Sequence, residues 1–315
     1  MRIIRTDSRA EPDCHGAVAA LGNFDGVHLG HISVIEAARA EAARLSAPLG
    51  IVTFEPHPRS FFSPDAPPFR LMNREARAHR LQMLGVEILF ELTFDARMAG
   101  RSAENFAREV LHEGLGLRHA VVGADFRFGK GRQGDAAMLQ ALGQAEGFGV
   151  TIAPILHREG LEISSTAIRR ALSAGDTRAA AAMLGHWHRI EGPVRQGDRR
   201  GRDLGFPTAN LSLEGLHLPR YGIYAVLADI LDGPHAGHHL GVASLGTRPT
   251  FGDNPPNLEV YIFDFAGDIY GCHLSVALVE FIRPELQFDS VEALVARMRQ
   301  DCEAARGILA ELPSH

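Results

Sequence analysis

The chain has 315 residues, with 32 Lys and Arg against 38 Asp and Glu and a formal net charge of -6. Hydrophobic residues make up 45% and charged residues 22%, which excludes general disorder and leaves apolar surface for two cores. The acidic balance argues against a general nucleic-acid binder, and no stretch reaches the roughly 18 uninterrupted apolar residues of a membrane span. Neither nucleic acid nor membrane is therefore expected as a partner. The first residues lack a signal-peptide core. Cys14, Cys272 and Cys302 are too scattered for a disulfide framework or a metal knuckle. A reducing, cytoplasmic setting is expected.

In chain order, residues 16–21 read as a buried strand and 31–45 as an Ala-rich helix. Residues 49–54 and 86–92 read as strands, 103–112 as a helix, 119–122 as a strand, 136–145 as a helix and 150–155 as a strand. This alternation predicts an α/β half: a Rossmann-like parallel sheet covered on both faces. Residues 60–69 hold three prolines without periodicity and read as a loop or flap. Short helices over 165–174 and 177–184 follow, and the pattern changes near 184–188. The expected domains are 1–186 and 187–315. In the second, strands over 190–194, 208–213, 222–230, 239–245, 257–265 and 272–283 follow one another without a helix. They predict an antiparallel β-barrel. A helix over 290–312 closes the chain, with Ser290 near its N-cap and an apolar stripe of Val291, Leu294, Val295 and Met298.

Two constellations carry chemistry. Gly22-Asn23-Phe24-Asp25-Gly26-Val27-His28-Leu29-Gly30-His31 leads from the first strand into the first helix. Glycines admit a phosphate close to the backbone, and the helix N-terminus presents free N–H groups. His28 and His31 are three apart and face one side, where imidazoles stabilise charge on a phosphate under attack. A zinc site would need further ligands, and none is evident nearby. Ile163-Ser164-Ser165-Thr166-Ala167-Ile168-Arg169-Arg170 repeats the theme: hydroxyls at a helix start and arginines one turn in, with Ser165 or Thr166 also suited to N-capping.

The second constellation is the Gly- and Arg-rich run from Gly197 through Arg200 and Gly201 to Phe206-Pro207-Thr208-Ala209-Asn210. A flexible basic loop suits a polyphosphate, though it matches neither common phosphate-loop pattern. In the strand Asn257-Leu258-Glu259-Val260-Tyr261-Ile262-Phe263, a period of two sets Glu259 on one face with Tyr261 and Phe263. On residues alone, a solvated strand acid and a general base both remain open there. His235, His238 and His239 with Asp232 read as a polar hairpin turn rather than a metal site. Trp187, at the junction, reads as packing.

The H-x-G-H and I-S-S-T-x-I-R motifs resemble the nucleotidyltransferase superfamily. Val122-Gly123-Ala124-Asp125-Phe126-Arg127-Phe128-Gly129 and Thr53-Phe54-Glu55-Pro56-His57-Pro58 resemble segments of bacterial FAD synthetases. The P-T-A-N run at 207–210 is identical to the riboflavin kinase motif. Over nearly its whole length the chain resembles the prokaryotic bifunctional riboflavin kinase/FMN adenylyltransferases. That resemblance implies a nucleotidyltransferase domain followed by a riboflavin-kinase barrel. It implies two reactions: riboflavin and MgATP give FMN, then FMN and ATP give FAD and pyrophosphate. It assigns Asn23, Phe24, Asp25, Gly26, His28, His31, Ser165, Thr166 and Arg169 to ATP in adenylyl transfer, with Asp125 and Phe128 on the flavin side. In the kinase it assigns Gly197, Arg200, Gly201, Thr208 and Asn210 to ATP, Thr208 and Asn210 to Mg²⁺, Arg283 to flavin and Glu259 to the catalytic base. Three positions depart from the common pattern: Gln196 stands where many members have His, Ser244 where many have Asn, and Pro284 where an acidic residue is common. A monomer or weak homo-oligomer is expected. Rival readings are a single working site, a flavin sensor, and an aminoacyl-tRNA synthetase suggested by His28-Leu29-Gly30-His31, against which the acidic charge weighs.

Overall fold

Strands buried on both faces are largely apolar, and the strand Val18–Leu21 that leads into the glycine-rich turn is apolar and buried at every position. The structure, a computed structural model, describes residues 1–154, 156, 163–196, 204–247 and 256–313. It divides into two compact units, one of Met1–Pro67 with Ala78–Ile163 and one of Pro68–Arg77 with Ser164–His315.

The first unit opens with β1 (Arg2–Thr6) and β2 (Val18–Leu21), followed by α1 (Leu29–Leu45), β3 (Leu49–Glu55) and α2 (Pro58–Phe62). After α3 (Arg74–Met83), which contributes to both units, come β4 (Ile88–Thr93), α4 (Ala96–Ala99) and α5 (Ala103–Asn105). A π-helix (Phe106–His112) leads to β5 (His119–Gly123) and the small hairpin β6 (Arg127–Phe128) and β7 (Gly134–Asp135). The unit then adds α6 (Ala136–Glu146) and β8 (Gly149–Ala153). Six strands pair in parallel in the order β1-β4-β3-β2-β5-β8, as the alternation predicts. Val52, Phe90, Leu111, Val122 and Phe148 lie in one core cluster.

Three details differ from the sequence reading. The edge strand β1 was not expected, because Arg2 and Arg5 interrupt its apolar pattern. The helix expected over 103–112 is one α-turn running into the π-helix. The flap over 60–69 begins within α2, where Pro58 occupies the first turn and no backbone N–H is needed.

The second unit carries α7 (Ser165–Ala174) and α8 (Thr177–Leu184), then β9 (His188–Pro193), β10 (Ala209–Ser212) and β11 (Gly222–Ile230). β12 (Gly237–Gly246), β13 (Asn257–Ile262), β14 (His273–Arg283) and α9 (Val291–Ala310) complete it. The strands form an antiparallel sheet in the order β10-β13-β12-β11-β14-β9. A bridge from Arg195 to Asn210 links the ends of that order into a near-barrel. Val226, Leu258, Val260 and Leu278 fill the inside. Ala225, Val242 and Val279 face outward and pack with Ala305 and Leu309 of α9, with Trp187 against them.

Here too the details sharpen the reading. Ser290 caps α9, its side chain accepting from Ala293 N. The helix buries Asp301, Ala305 and Leu309 rather than the stripe headed by Val291, which is 56% exposed. Its fully buried apolar contacts with the barrel are Ala305 and Leu309, and Leu294, Val295 and Met298 are half-buried. β13 stops at Ile262, before the left-handed turn at Asp264 (φ 53°). His235, His238 and His239 lie at and after the β11–β12 turn, and the described residues contain no His, Cys, Asp or Glu group that would hold a metal.

Candidate active sites

The turn after β2 is built from unusual backbone. Phe24 (φ 50°), Gly26 (φ 85°) and Val27 (φ 42°) all lie in the left-handed region. For Phe and β-branched Val this costs about 1–3 kcal/mol each, a strain that persists only where the surroundings enforce it. Those surroundings are visible: Phe24 is 1% exposed and Val27 0%. Val27 N donates to Phe24 O, and Thr53 Oγ1 donates to Asn23 O across from β3. Asp25 is buried in the same turn.

His28 is the N-cap of α1, and its Nδ1 accepts from His31 N at 3.3 Å. In a neutral imidazole that leaves the proton on Nε2, facing away from the cap. The rings of His28 and His31 stack at 3.7 Å, and Phe24 lies 5.2 Å from His31. His31 Nδ1 is buried and without a partner among the described residues. Burial, and secondarily His28, hold His31 well below the usual histidine range, so it stays neutral at pH 7. A Cβ at Gly30 would meet the His28 ring at 3.2 Å, so glycine there preserves the stack. The expected pair of histidines is thus brought together, with Phe24 beside His31 and Asn23, Asp25 and Gly26 in the turn that leads to them.

At the same carboxyl edge of the sheet lies a continuous row of phenylalanines that sequence reading missed. Phe54 contacts Phe94 at 5.5 Å and Phe106 at 6.2 Å. Phe106 meets Phe128 at 5.7 Å, which stacks on Phe126 at 5.6 Å. Phe61 and Phe62 of α2 close over Phe94, and Phe62 is 65% exposed. Of the two flavin-side expectations, Asp125 is exposed beside Gly123, and Phe128 is buried within this aromatic row. Their spacing along the sequence hides the row, because its rings come from β3, the segments after β4, and the β5–β6 region.

Ser165, Thr166 and Arg169 lie on α7 in the second unit. The cap is Ser164, accepting from Ala167 N at 3.1 Å, so neither Ser165 nor Thr166 serves as N-cap. Their hydroxyls stand in the first turn. Arg169 Nε donates to Phe69 O at 2.6 Å, with its guanidinium 5.3 Å from the Phe69 ring.

In the barrel, one rung collects four distant residues. Asn210 pairs with Glu259, Glu259 with Ser244, Ser244 with Ile223, and Ile223 with Arg283. Residues paired directly across a sheet share a face, so Asn210, Glu259, Ser244 and Arg283 project to one side. Asn257 ties the rung together: its Nδ2 donates to Asn210 Oδ1 at 3.0 Å and to Glu259 Oε1 at 3.3 Å. Asn210 Nδ2 in turn donates to Thr208 O at 3.4 Å. Tyr261, on the face of Glu259, packs edge-on against Phe206 at 5.2 Å. Asn257 was not singled out from sequence; the run of period two beginning there is its only signal. Gly197, Arg200 and Gly201 lie outside the described residues.

The donors at this rung are hard oxygens, Asn210 Oδ1 and the Glu259 carboxylate, with Thr208 two residues before Asn210 in the chain. That set fits Mg²⁺ shared with phosphate oxygens and water. Arg283 is differently occupied. It is 9% exposed, and its Nε and Nη2 grip Asp301 of α9 at 2.9 and 2.5 Å. Its Nη1 donates to Pro284 O at 2.9 Å.

Comparison with known proteins agrees with both halves. A model of the FAD synthetase family matches residues 10–167, and a model of the riboflavin kinase family matches 184–309. A bifunctional riboflavin kinase/FMN adenylyltransferase of Pseudomonas fluorescens is 41% identical, with 98% of each chain covered. The protein of that name from Escherichia coli strain K12 is 38% identical, with 97% of each covered. A crystal structure titled as a macrolide-efflux protein from Streptococcus pneumoniae is similar at a TM-score of 0.82 and 31% identity, covering 97% of this chain and 99% of that one. No described helix here is long and apolar enough to cross a membrane. By both its halves and its full length, the chain belongs to the bifunctional riboflavin kinase/FMN adenylyltransferase family.

Proposed function

We propose that the chain makes FMN from riboflavin on the barrel and FAD from FMN on the parallel sheet, consuming ATP in each step. The observation that carries this reading is that each unit holds its own set of phosphate chemistry. One is the stacked histidine pair at a strained helix entry. The other is the Asn210–Asn257–Glu259 cluster.

In the kinase reaction Glu259 accepts the proton of the ribityl 5′-hydroxyl as that oxygen attacks the γ-phosphate. Asn257 fixes one carboxylate oxygen and so aims the other. Mg²⁺ would be held by Thr208 and Asn210, where it neutralises charge on the ATP phosphates. Positioning and charge neutralisation supply most of phosphoryl-transfer catalysis. Arg283 serves flavin indirectly: with its fork committed to Asp301, it holds α9 against the barrel. Gly197, Arg200 and Gly201 are assigned to the ATP phosphates from the motif alone.

In the adenylyl transfer the FMN phosphate attacks the α-phosphate of ATP and pyrophosphate leaves. No covalent enzyme intermediate is required. Neutral His31 and the Nε2–H of His28 donate to phosphate oxygens as negative charge builds. Asn23, Phe24, Asp25 and Gly26 shape the nucleotide pocket, and Ser165, Thr166 and Arg169 are assigned to the ATP phosphates from the motif alone. The phenylalanine row with Asp125 and Phe128 suits the flat flavin ring. We take the functional boundary at residues 186–187, the setting as cytoplasmic and the protein as a monomer or weak homo-oligomer.

A chromatographic time course with riboflavin, Mg²⁺ and excess ATP tests the reading. FMN appearing and then converting to FAD is expected. FMN alone would leave only the barrel working. Bound riboflavin without product would favour a flavin sensor.

A further inference from the structure

Beside the parallel sheet lies a cavity of about 360 Å³, lined by residues that neither proposed reaction uses. Arg9, which follows β1, and Arg97 and Arg101, which follow β4, line it with Arg108, Glu109 and Glu113 of the π-helix region. Four guanidinium groups face two carboxylates. Glu109 already serves two of the arginines: it accepts from Arg101 Nη1, and its other oxygen lies 3.6 Å from Arg108. Arg97 lies 3.7 Å from Asp7, so three carboxylates stand against four guanidinium groups and the cavity carries a positive excess of one.

Arg101 is the centre of this arrangement. Its side chain is only 9% exposed. Its main chain is fixed at both ends, N donating to Met98 O and O accepting from Lys130 N. Its Nε is buried and has no partner among the described residues. The backbone around it is equally particular. Arg108 and Glu109 sit in a π-helix, a rare conformation found most often at functional sites. Ser8, the remaining wall, approaches Gly114 so closely that a Cβ there would come within 2.0 Å of its carbonyl oxygen.

The lining also limits the ligand. It contains no aromatic or aliphatic side chain, so nothing would hold a flavin or adenine ring. Its volume exceeds the need of a single phosphoryl group. The H-x-G-H turn follows β2, two strands from β4 and three from β1 in sheet order, about 10–14 Å away at the usual strand spacing.

We propose that this arginine-lined cavity is a binding site for a diphosphate-type anion, separate from the substrate sites. The anion is held by Arg9, Arg97 and Arg108, with Arg101 in the cavity wall. The site stands whether or not the proposed reactions do, because none of its residues belongs to them.

Calorimetric titration of the full-length protein with inorganic diphosphate, in chelator and without Mg²⁺, tests it. Saturable binding of one diphosphate per chain is expected. It should weaken at least tenfold in Arg97→Gln/Arg108→Gln, whose exposed side chains are dispensable for folding, and in Arg101→Gln. It should persist in His28→Ala/His31→Ala. Parallel titrations with orthophosphate and ATP separate the sources: tighter ATP binding with the same arginine dependence identifies a nucleotide's phosphate chain. Absence of saturable binding would overturn the proposal. So would binding that ignores the arginine variants and disappears with the histidines.

Discussion

The two phosphate sites are assembled in opposite ways. The histidine cluster of the adenylyl-transfer site is local: ten consecutive residues, Gly22 to His31, supply the strained turn, the helix entry and both histidines. The kinase site is distributed: Asn210, Glu259, Ser244 and Arg283 come from four strands and meet only through the register of the sheet. A local site depends on backbone conformation, whereas a distributed one depends on the pairing of the whole barrel. Damage to the first should stay within one reaction. Damage to the second should separate into changes of chemistry and changes of stability.

The largest effect is expected at the local site. His31→Ala removes one charge-stabilising donor and should lower FAD formation from FMN about 10²–10³-fold. FMN formation from riboflavin should be unchanged in the same preparation. A parallel loss in both assays would mean that the two sites are not separate.

Next in size is Asp301→Ala. It strips the buried partner from Arg283, a loss of about 3–5 kcal/mol for a broken buried pair. Calorimetry should show the barrel unfolding earlier, with the riboflavin KM raised more than kcat is lowered. An unchanged melting temperature would remove Arg283 from its role as the strap that holds α9.

Asn257→Ala should act more gently. It leaves Glu259 in place but frees its carboxylate, and a kcat reduced about tenfold with little change in ATP KM is expected of a lost positioning bond. Asn257→Asp should not restore the rate, because a carboxylate cannot donate to Glu259.

The smallest effect per step is on stability against pH, and it spans both units. Burial lowers His188 in β9 to about 3, and His31 is lowered in the same direction. Below pH 6.5 the unfolded chain takes up protons that the folded chain refuses. Stability is therefore full above pH 6.5 and falls as pH drops toward 3, by about 1.4 kcal/mol per pH unit for His188 alone. Denaturant midpoints measured from pH 7 to 5 should show it. His188→Gln should flatten the slope, and an unaltered slope would contradict the assignment.

The same contrast explains what was legible in the sequence. The glycine-rich turn was readable because its glycines, histidines and helix start are adjacent. Pro207-Thr208-Ala209-Asn210 and Glu259 were recognisable as motifs, but nothing in their spacing told that Asn210 and Glu259 pair across strands. That fact belongs to register, as does the bridging role of Asn257. The phenylalanine row was invisible for a similar reason: Phe54, Phe94, Phe106 and Phe128 are separated in sequence and gathered by a parallel sheet. The apolar stripe from Val291 to Met298 has the right period but is only half-buried, whereas Ala305 and Leu309 of α9 pack fully with Ala225, Val242 and Val279. Amphipathic spacing indicates a helix; it does not indicate which turns of that helix are covered.

The central claim is that each unit carries its own chemistry, and Glu259→Gln measures it most directly. The variant keeps the side-chain volume and its tie to Asn257 but removes the base. FMN formation from riboflavin should fall about 10²–10⁴-fold. FAD formation from added FMN should stay at the wild-type rate. Normal FMN formation, or loss of both activities together in a folded protein, would contradict the account.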